Sequence, residues 1–233
     1  MRLVDDPAAN LKREAGEQAA LLVEGGMVVG LGTGSTAAFV IAALARRHQE
    51  GLRFTAIATS ERSAKQARDL GIELSDFGHH DAIDLTIDGA DEIERGSLNL
   101  IKGLGGALLR EKIVAAASRK LVIIADERKM VRHLGEHTAV PVEVTPFGWE
   151  STARQLGVLG ARVSARHDRV GTLFVTDGGN MILDCNFGVI DDPAGLERRI
   201  GEIVGVIESG LFIQRASLVL VAGADGVARY ERA

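Results

Sequence analysis

"MVVGLGTGSTAAFVIAALARRHQ", residues 27–49, changes character twice. Residues 27–32 form an apolar run of the length expected for a buried strand. Residues 32–36, Gly-Thr-Gly-Ser-Thr, combine turn-forming glycines with hydroxyl side chains suited to a helix cap. Residues 37–49 then bring apolar side chains back at helical spacing. Strand, glycine turn and helix make the first half of a β-α-β unit, so a parallel sheet is the expectation.

The same alternation continues on both sides. Asp6-Pro7 is a helix start, with Asp as cap and Pro in the first turn, and the helix is expected to run to Glu24, closed by Gly25-Gly26. Strands are expected at 54–60, 72–77 ("IELSDF"), 82–88 ("AIDLTID") and 120–126, and helices at 61–71 and 106–118. Parallel sheets bind ligands beyond the carboxyl ends of their strands. The loops at 32–36, 59–61, 88–92 and 126–129 are therefore where function is sought.

After about residue 130 the order changes to strand (140–147), helix (148–160), strand (161–167), a hairpin over 173–187 turning at Asp177–Asn180, helix (193–203) and a last strand (204–213). This is the β-α-β-β-α-β ferredoxin-like unit. The tail, 216–232, supplies one or two strands that rejoin the first domain. The fold class is α/β: a Rossmann-like parallel sheet domain (1–131 plus 212–233) with a second, smaller ferredoxin-like α+β domain (132–211).

The 233 residues, 46% hydrophobic and 25% charged, suffice for a substantial core. Net charge is −5, which argues against nucleic acid as a partner. An anionic ligand must be held by a local group of cations. The apolar stretches are too short to span a bilayer, and the first residues lack the apolar centre of a signal peptide. A single cysteine, Cys185, rules out an internal disulfide, and a cytoplasmic, reducing location is expected. Cys185 has no nearby His or Lys in sequence to activate it and reads as core. The six histidines show no metal spacing, so no metal site is expected.

The first loop offers close backbone approach at Gly30, Gly32 and Gly34, and hydroxyls at a helix N-terminus, a setting for an anion. Gly34 is followed by Ser35 rather than lysine, against an ATP-type loop. The next strand ends in Thr59-Ser60 rather than an acid, against a dinucleotide. A small phosphorylated metabolite fits; a capped glycine turn without ligand explains the same residues. "LTIDGADEI" (85–93) crowds three acids, Asp88, Asp91 and Glu92, where a strand ends. "NLIKGLGGALLREK" (99–112) adds a second glycine loop, with Lys102 at its mouth and Glu111 early in the following helix. Taken singly, Lys102 reads as a surface lysine and Glu111 as an exposed helix acid. Asp88, Asp91, Lys102 and Glu111 together suit proton transfer next to a carbonyl: a carboxylate moves the proton and a cation or acid stabilises the enediolate oxygen, without metal or redox cofactor. Lys12, Arg13 and, better placed, Lys129 are the cations available for a phosphate.

"GLGTGSTA" (30–37), "DGADEI" (88–93), "KGLGGALLREK" (102–112), "ADERK" (125–129) and "PVEV" (141–144), in this order over essentially the whole chain, resemble the type A ribose-5-phosphate isomerases. Glucosamine-6-phosphate deaminases and the sugar-phosphate sensor domains of some repressors share the glycine loops but lack the linked set. The resemblance implies a metal-free, cofactor-free aldose–ketose isomerase of the pentose phosphate pathway, interconverting D-ribose 5-phosphate and D-ribulose 5-phosphate and self-associating as a homodimer or homotetramer. By position, Glu111 matches the base. Thr33, Gly34, Ser35 and Thr36, then Asp88, Gly89, Ala90 and Asp91, then Lys102, Gly103, Leu104 and Gly105, and finally Lys129, match the substrate-binding segments. Asp88 and Asp91 are implied to face the sugar hydroxyls and assist ring opening, with Glu92 orienting the loop. The sequence departs from the pattern in the spacing of "EIERGSLNLI" (92–101), between Asp91 and Lys102, and in Leu104, where glycine is common. A non-catalytic sensor would need an output such as a basic recognition helix, which the N-terminus lacks. An amino-sugar deaminase would want a histidine near the loops, and there is none.

Overall fold

The computed structural model describes residues 7–232. Its first elements are α1 (Pro7–Ala20), β1 (Val28–Leu31), α2 (Ser35–Gln49), β2 (Thr55–Ala58), α3 (Glu61–Asp69), β3 (Leu85–Gly89), β4 (Glu92–Glu94), β5 (Leu100–Ile101), α4 (Leu108–Ala116), β6 (Leu121–Asp126) and β7 (Met130–Val131). There follow β8 (Val140–Val144), α5 (Trp149–Val158), β9 (Arg162–Ala165), β10 (Met181–Asn186), α6 (Pro193–Gly201), β11 (Val206–Ser209), β12 (Leu211–Phe212), β13 (Leu218–Gly223) and β14 (Gly226–Glu231). The Asp6 cap lies outside the described residues. The first helix stops at Ala20 rather than Glu24, because Leu21, Leu22 and Val23 turn on tighter backbone bonds to Gln18, Ala19 and Ala20.

The chain divides into two units: residues 1–89, 113–129 and 215–233, and residues 90–112 and 130–214. The reading from sequence kept 90–112 with the first sheet, but that segment groups with the second unit.

The first unit is built on a six-stranded sheet of order β14-β13-β6-β3-β1-β2, parallel except for the β13–β14 hairpin. The tail thus rejoins this sheet, as expected. Val29, Leu31, Ile87, Val122 and Ile124 bury against Ala15, Ala19, Val40, Ile41 and Leu44 of α1 and α2. The expected strand at 72–77 does not form. Leu74 makes one isolated bridge to Ala56, and Asp76 then takes the Gly78 N–H and the His79 ring, which turns the chain away.

The second unit holds an antiparallel sheet of order β11-β8-β10-β9, the arrangement of a ferredoxin-like unit. Its core includes Val142, Val144, Leu183 and Cys185 with Leu156 of α5 and Leu196 and Ile200 of α6. Burial pushes the Cys185 thiol up to about 12, so it stays neutral. Two expectations fail locally. The first arm of the 173–187 hairpin is no strand: only isolated bridges at Leu173 and Val175 remain, although the turn at 176–180 is present. The last strand splits into β11 and β12 at Gly210, where an added Cβ would lie 2.2 Å from the Lys102 carbonyl. The split creates a small sheet, β12-β5-β4-β7, that the sequence reading did not foresee.

Candidate active site

In the first unit the glycine loop follows β1, and its shape is set by Asp88. The Asp88 carboxylate is buried, and its Oδ1 accepts the backbone N–H of Thr33 at 3.0 Å and of Gly89 at 2.7 Å. Gly32 permits this approach: a Cβ there would sit 2.2 Å from that oxygen. Thr33 points into the protein. Its hydroxyl donates to Ser60 Oγ at 2.8 Å and lies 2.7 Å from Thr59 Oγ1, while Ser63 donates to the Gly32 carbonyl at 2.7 Å. This hydroxyl knot ties the loop to the start of α3, whose N-terminal N–H of Ser63 is capped by Ser60.

Gly34 and Thr36 are half-buried and Ser35 is exposed, at the N-terminus of the fifteen-residue α2. Lys12 of α1 donates to Ser35 Oγ at 3.1 Å and so brings a cation to the loop; Arg13 is bound instead to Asn10. Lys129 closes the 3-10 turn after β6 and is half-buried. That turn is held by Asp126, whose carboxylate takes Arg128 Nε at 2.8 Å and the Arg128 N–H at 3.2 Å. The Arg128 hydrogen bond keeps the Asp126 carboxyl below its usual range.

The acids of 88–92 straddle the boundary between units. In the second unit, half-buried Asp91 accepts the Leu104 N–H at 2.9 Å through Oδ2. Glu92 is buried and accepts the N–H groups of Gly135 and His137 at 2.6 and 2.7 Å. It orients a loop, as its expected role required, but the loop is 134–137.

Lys102 and Glu111 form a buried ion pair in this unit. Lys102 Nζ lies 3.1 Å from Glu111 Oε2, and both side chains are 3% exposed. Glu111 is in the first turn of α4, where the helix dipole favours a carboxylate. A buried ion pair is costly to desolvate and adds little stability over an apolar pair, so stability alone does not account for this one. The altered spacing of 92–101 does not keep Lys102 from Glu111. It is absorbed in the β4–β5 hairpin, closed by Glu94 N–H to Asn99 O at 2.9 Å. Leu104 turns its side chain outward, 49% exposed.

The loop has a clamp that sequence reading missed. Arg166 of the second unit donates to the carbonyls of Gly103 at 2.8 Å and Leu104 at 3.3 Å, while Asp184 grips the same guanidinium. Glu143, from "PVEV", is likewise buried and holds Thr176 Oγ1 and Asn180 Nδ2, each at 2.9 Å. The hydroxyl knot left a visible trace in "TSERS" (59–63); the Arg166–Asp184 clamp joins residues far apart in sequence and left none.

The family model for ribose 5-phosphate isomerase A (phosphoriboisomerase A) matches residues 55–226. A ribose-5-phosphate isomerase A of Gluconobacter oxydans (strain 621H) is 58% identical over 221 residues, covering 94% of this chain and 96% of its own. That of Gloeobacter violaceus is 58% identical over 217 residues, covering 93% and 94%. The structure of ribose 5-phosphate isomerase A from Methanocaldococcus jannaschii superposes with a TM-score of 0.92 at 40% identity, covering 96% of this chain and 99% of that one. A D-ribose-5-phosphate isomerase in complex with phospho-erythronic acid gives 0.93 at 36% identity, covering 97% and 99%. With a family model matching residues 55–226 and relatives 58% identical over more than nine-tenths of its length, the chain belongs to the ribose-5-phosphate isomerase A family.

Proposed function

We propose that Glu111 is the base of the isomerisation this family performs, the interconversion of D-ribose 5-phosphate and D-ribulose 5-phosphate. The observation that carries the reading is the buried Lys102–Glu111 pair at 3.1 Å beside the glycine loop. In the open-chain aldose, Glu111 takes the proton from C2 while Lys102 steadies the negative charge that grows on the C1 oxygen. The hydroxyl proton on the C2 oxygen passes to the C1 oxygen, and Glu111 returns its proton to C1, giving the ketose. The phospho-erythronic acid bound by one relative is a phosphorylated sugar acid with an anionic oxygen at its end, the charge pattern of such an enediolate.

The phosphate falls to Gly34, Ser35 and Thr36 at the α2 N-terminus, with Lys12 and Lys129 as cations. Thr33 anchors the loop, its N–H held by Asp88 and its hydroxyl by Ser60. Asp88, whose Oδ1 orients that loop, and half-buried Asp91 serve the sugar hydroxyls and ring opening. Gly89 and Ala90 join these acids, and Gly103, Leu104 and Gly105 supply the backbone beside Lys102. Self-association as a homodimer or homotetramer and a cytoplasmic location belong to the same proposal. Among the described residues no helix is long and apolar enough to cross a membrane.

The direct test is ketose formation from ribose 5-phosphate by the purified protein, with and without EDTA. Turnover is expected to persist unchanged with chelator, since none of the proposed steps uses a metal; loss that zinc or magnesium restores would overturn the scheme. Lys129→Ala is expected to raise KM about tenfold or more and leave kcat near its parent value, because phosphate binding is common to ground and transition states. Steady-state kinetics showing a fall in kcat alone would remove Lys129 from the phosphate.

A further inference from the structure

We propose that Lys112 is a positioning residue for the Lys102–Glu111 pair, setting the charge environment in which Glu111 ionises. The inference rests on Glu111 being the base. Lys112 follows Glu111 on α4 and is 5% exposed. Neighbours on a helix point about 100° apart, so the two side chains do not share a direction. The ammonium of Lys112 is instead taken by Glu197 of α6 at 3.0 Å and Glu208 of β11 at 2.8 Å. It also lies 5.0 Å from the centre of the Phe212 ring. Lys102 Nζ lies 5.4 Å from the centre of that same ring and 3.1 Å from Glu111.

One fully buried aromatic ring therefore carries two ammonium groups, one of which belongs to the chemical pair. The contacts run without a break from Glu197 and Glu208 through Lys112 and Phe212 to Lys102 and Glu111. The other cations near this loop are already paired, Arg110 with Asp177 and Arg166 with Asp184. Asp91 is bound to the Leu104 N–H. A lysine whose only task was to be charged at the surface would not be desolvated between two glutamates. In a buried cluster charges act on one another more strongly than in water. Lys112 balances Glu197 and Glu208, and so keeps their negative charge from opposing the ionisation of Glu111.

Neutralising charges of opposite sign tests this. Lys112→Met leaves Glu197 and Glu208 uncompensated and is expected to move the acid limb of the kcat–pH profile up by about half a unit, roughly a threefold loss of kcat on that limb. Glu208→Gln removes a negative charge and is expected to move the limb down. Lys112→Arg, which keeps the charge, is expected to restore the parent limb. Folding of each variant is checked by its thermal melt. A purely mechanical role predicts loss of activity or stability without opposite shifts, so limbs that stay in place or move together in folded variants overturn the inference. If Lys112→Met does not fold, Glu208→Gln decides: a limb that moves down while that of Lys112→Arg stays at the parent position supports the inference, and a limb that does not move down overturns it. Glu111→Gln, run alongside, separates the two levels: normal turnover there removes Glu111 as base and this inference with it. A dead Glu111→Gln with unmoved limbs in the others removes only the role of Lys112.

Discussion

Glu111→Gln is expected to lower kcat by about 10²–10⁴-fold, some 3–5 kcal/mol in the barrier, while KM changes by no more than about threefold. The amide has the size and shape of the carboxylate and still offers an oxygen to Lys102 at the 3.1 Å separation. It cannot accept the proton from C2. An interaction used only in the transition state affects kcat and kcat/KM equally, and the residues proposed to hold the phosphate are others. The substitution also leaves the Lys102 ammonium buried without its counter-charge, so the variant is expected to melt at lower temperature. The assay is therefore run where circular dichroism shows it folded. Exchange of the C2 hydrogen with deuterated water gives a second readout that does not depend on ketose release, and is expected to fall in parallel. A kcat within tenfold of the parent, or C2 exchange at the parent rate, would assign the proton transfer to another group.

The acids at 88–92 show what the sequence could and could not reveal. Their crowding at a strand end drew attention to that edge, because a turn there needs no more than one acid. Their individual jobs depend on backbone N–H groups far away in sequence. Asp88 holds the Thr33 amide, Asp91 the Leu104 amide, and Glu92 the amides of Gly135 and His137. No spacing rule tells an acid that organises a backbone from one that meets a substrate. Thr33 carries the same lesson: nothing in its glycine loop announces that its hydroxyl meets Thr59, Ser60 and Ser63.

Elements that read as continuous apolar runs, such as β1 and β6, or as apolar side chains at helical spacing, such as α2, were legible because burial alone decides them. The small sheet was not, because β5, β7 and β12 are two residues each and carry no periodicity. It also explains the shifted unit boundary. Segment 90–112 belongs to the second unit through β4 and β5, which pair with β7 and β12 across long stretches of chain. Local signals cannot report such a pairing.

Lys102→Met is the second large effect, and it separates electrostatics from packing. Methionine fills much of the same volume, so the cavity term is small and the loss is chiefly of charge. The Glu111 carboxylate would then sit 3% exposed with its cation removed. Breaking a buried pair from one side costs about 3–5 kcal/mol, and urea denaturation at pH 8 is expected to show a deficit of that order. Turnover falls as well, by about 10²–10³-fold, because the oxygen of the enediolate loses its counter-charge. The double variant Lys102→Met with Glu111→Gln removes both charges and is expected to be more stable than Lys102→Met alone, since no uncompensated ion remains. Stability losses that simply add in the double variant would mean that the two side chains are neighbours without being partners, and the enediolate would then need another cation.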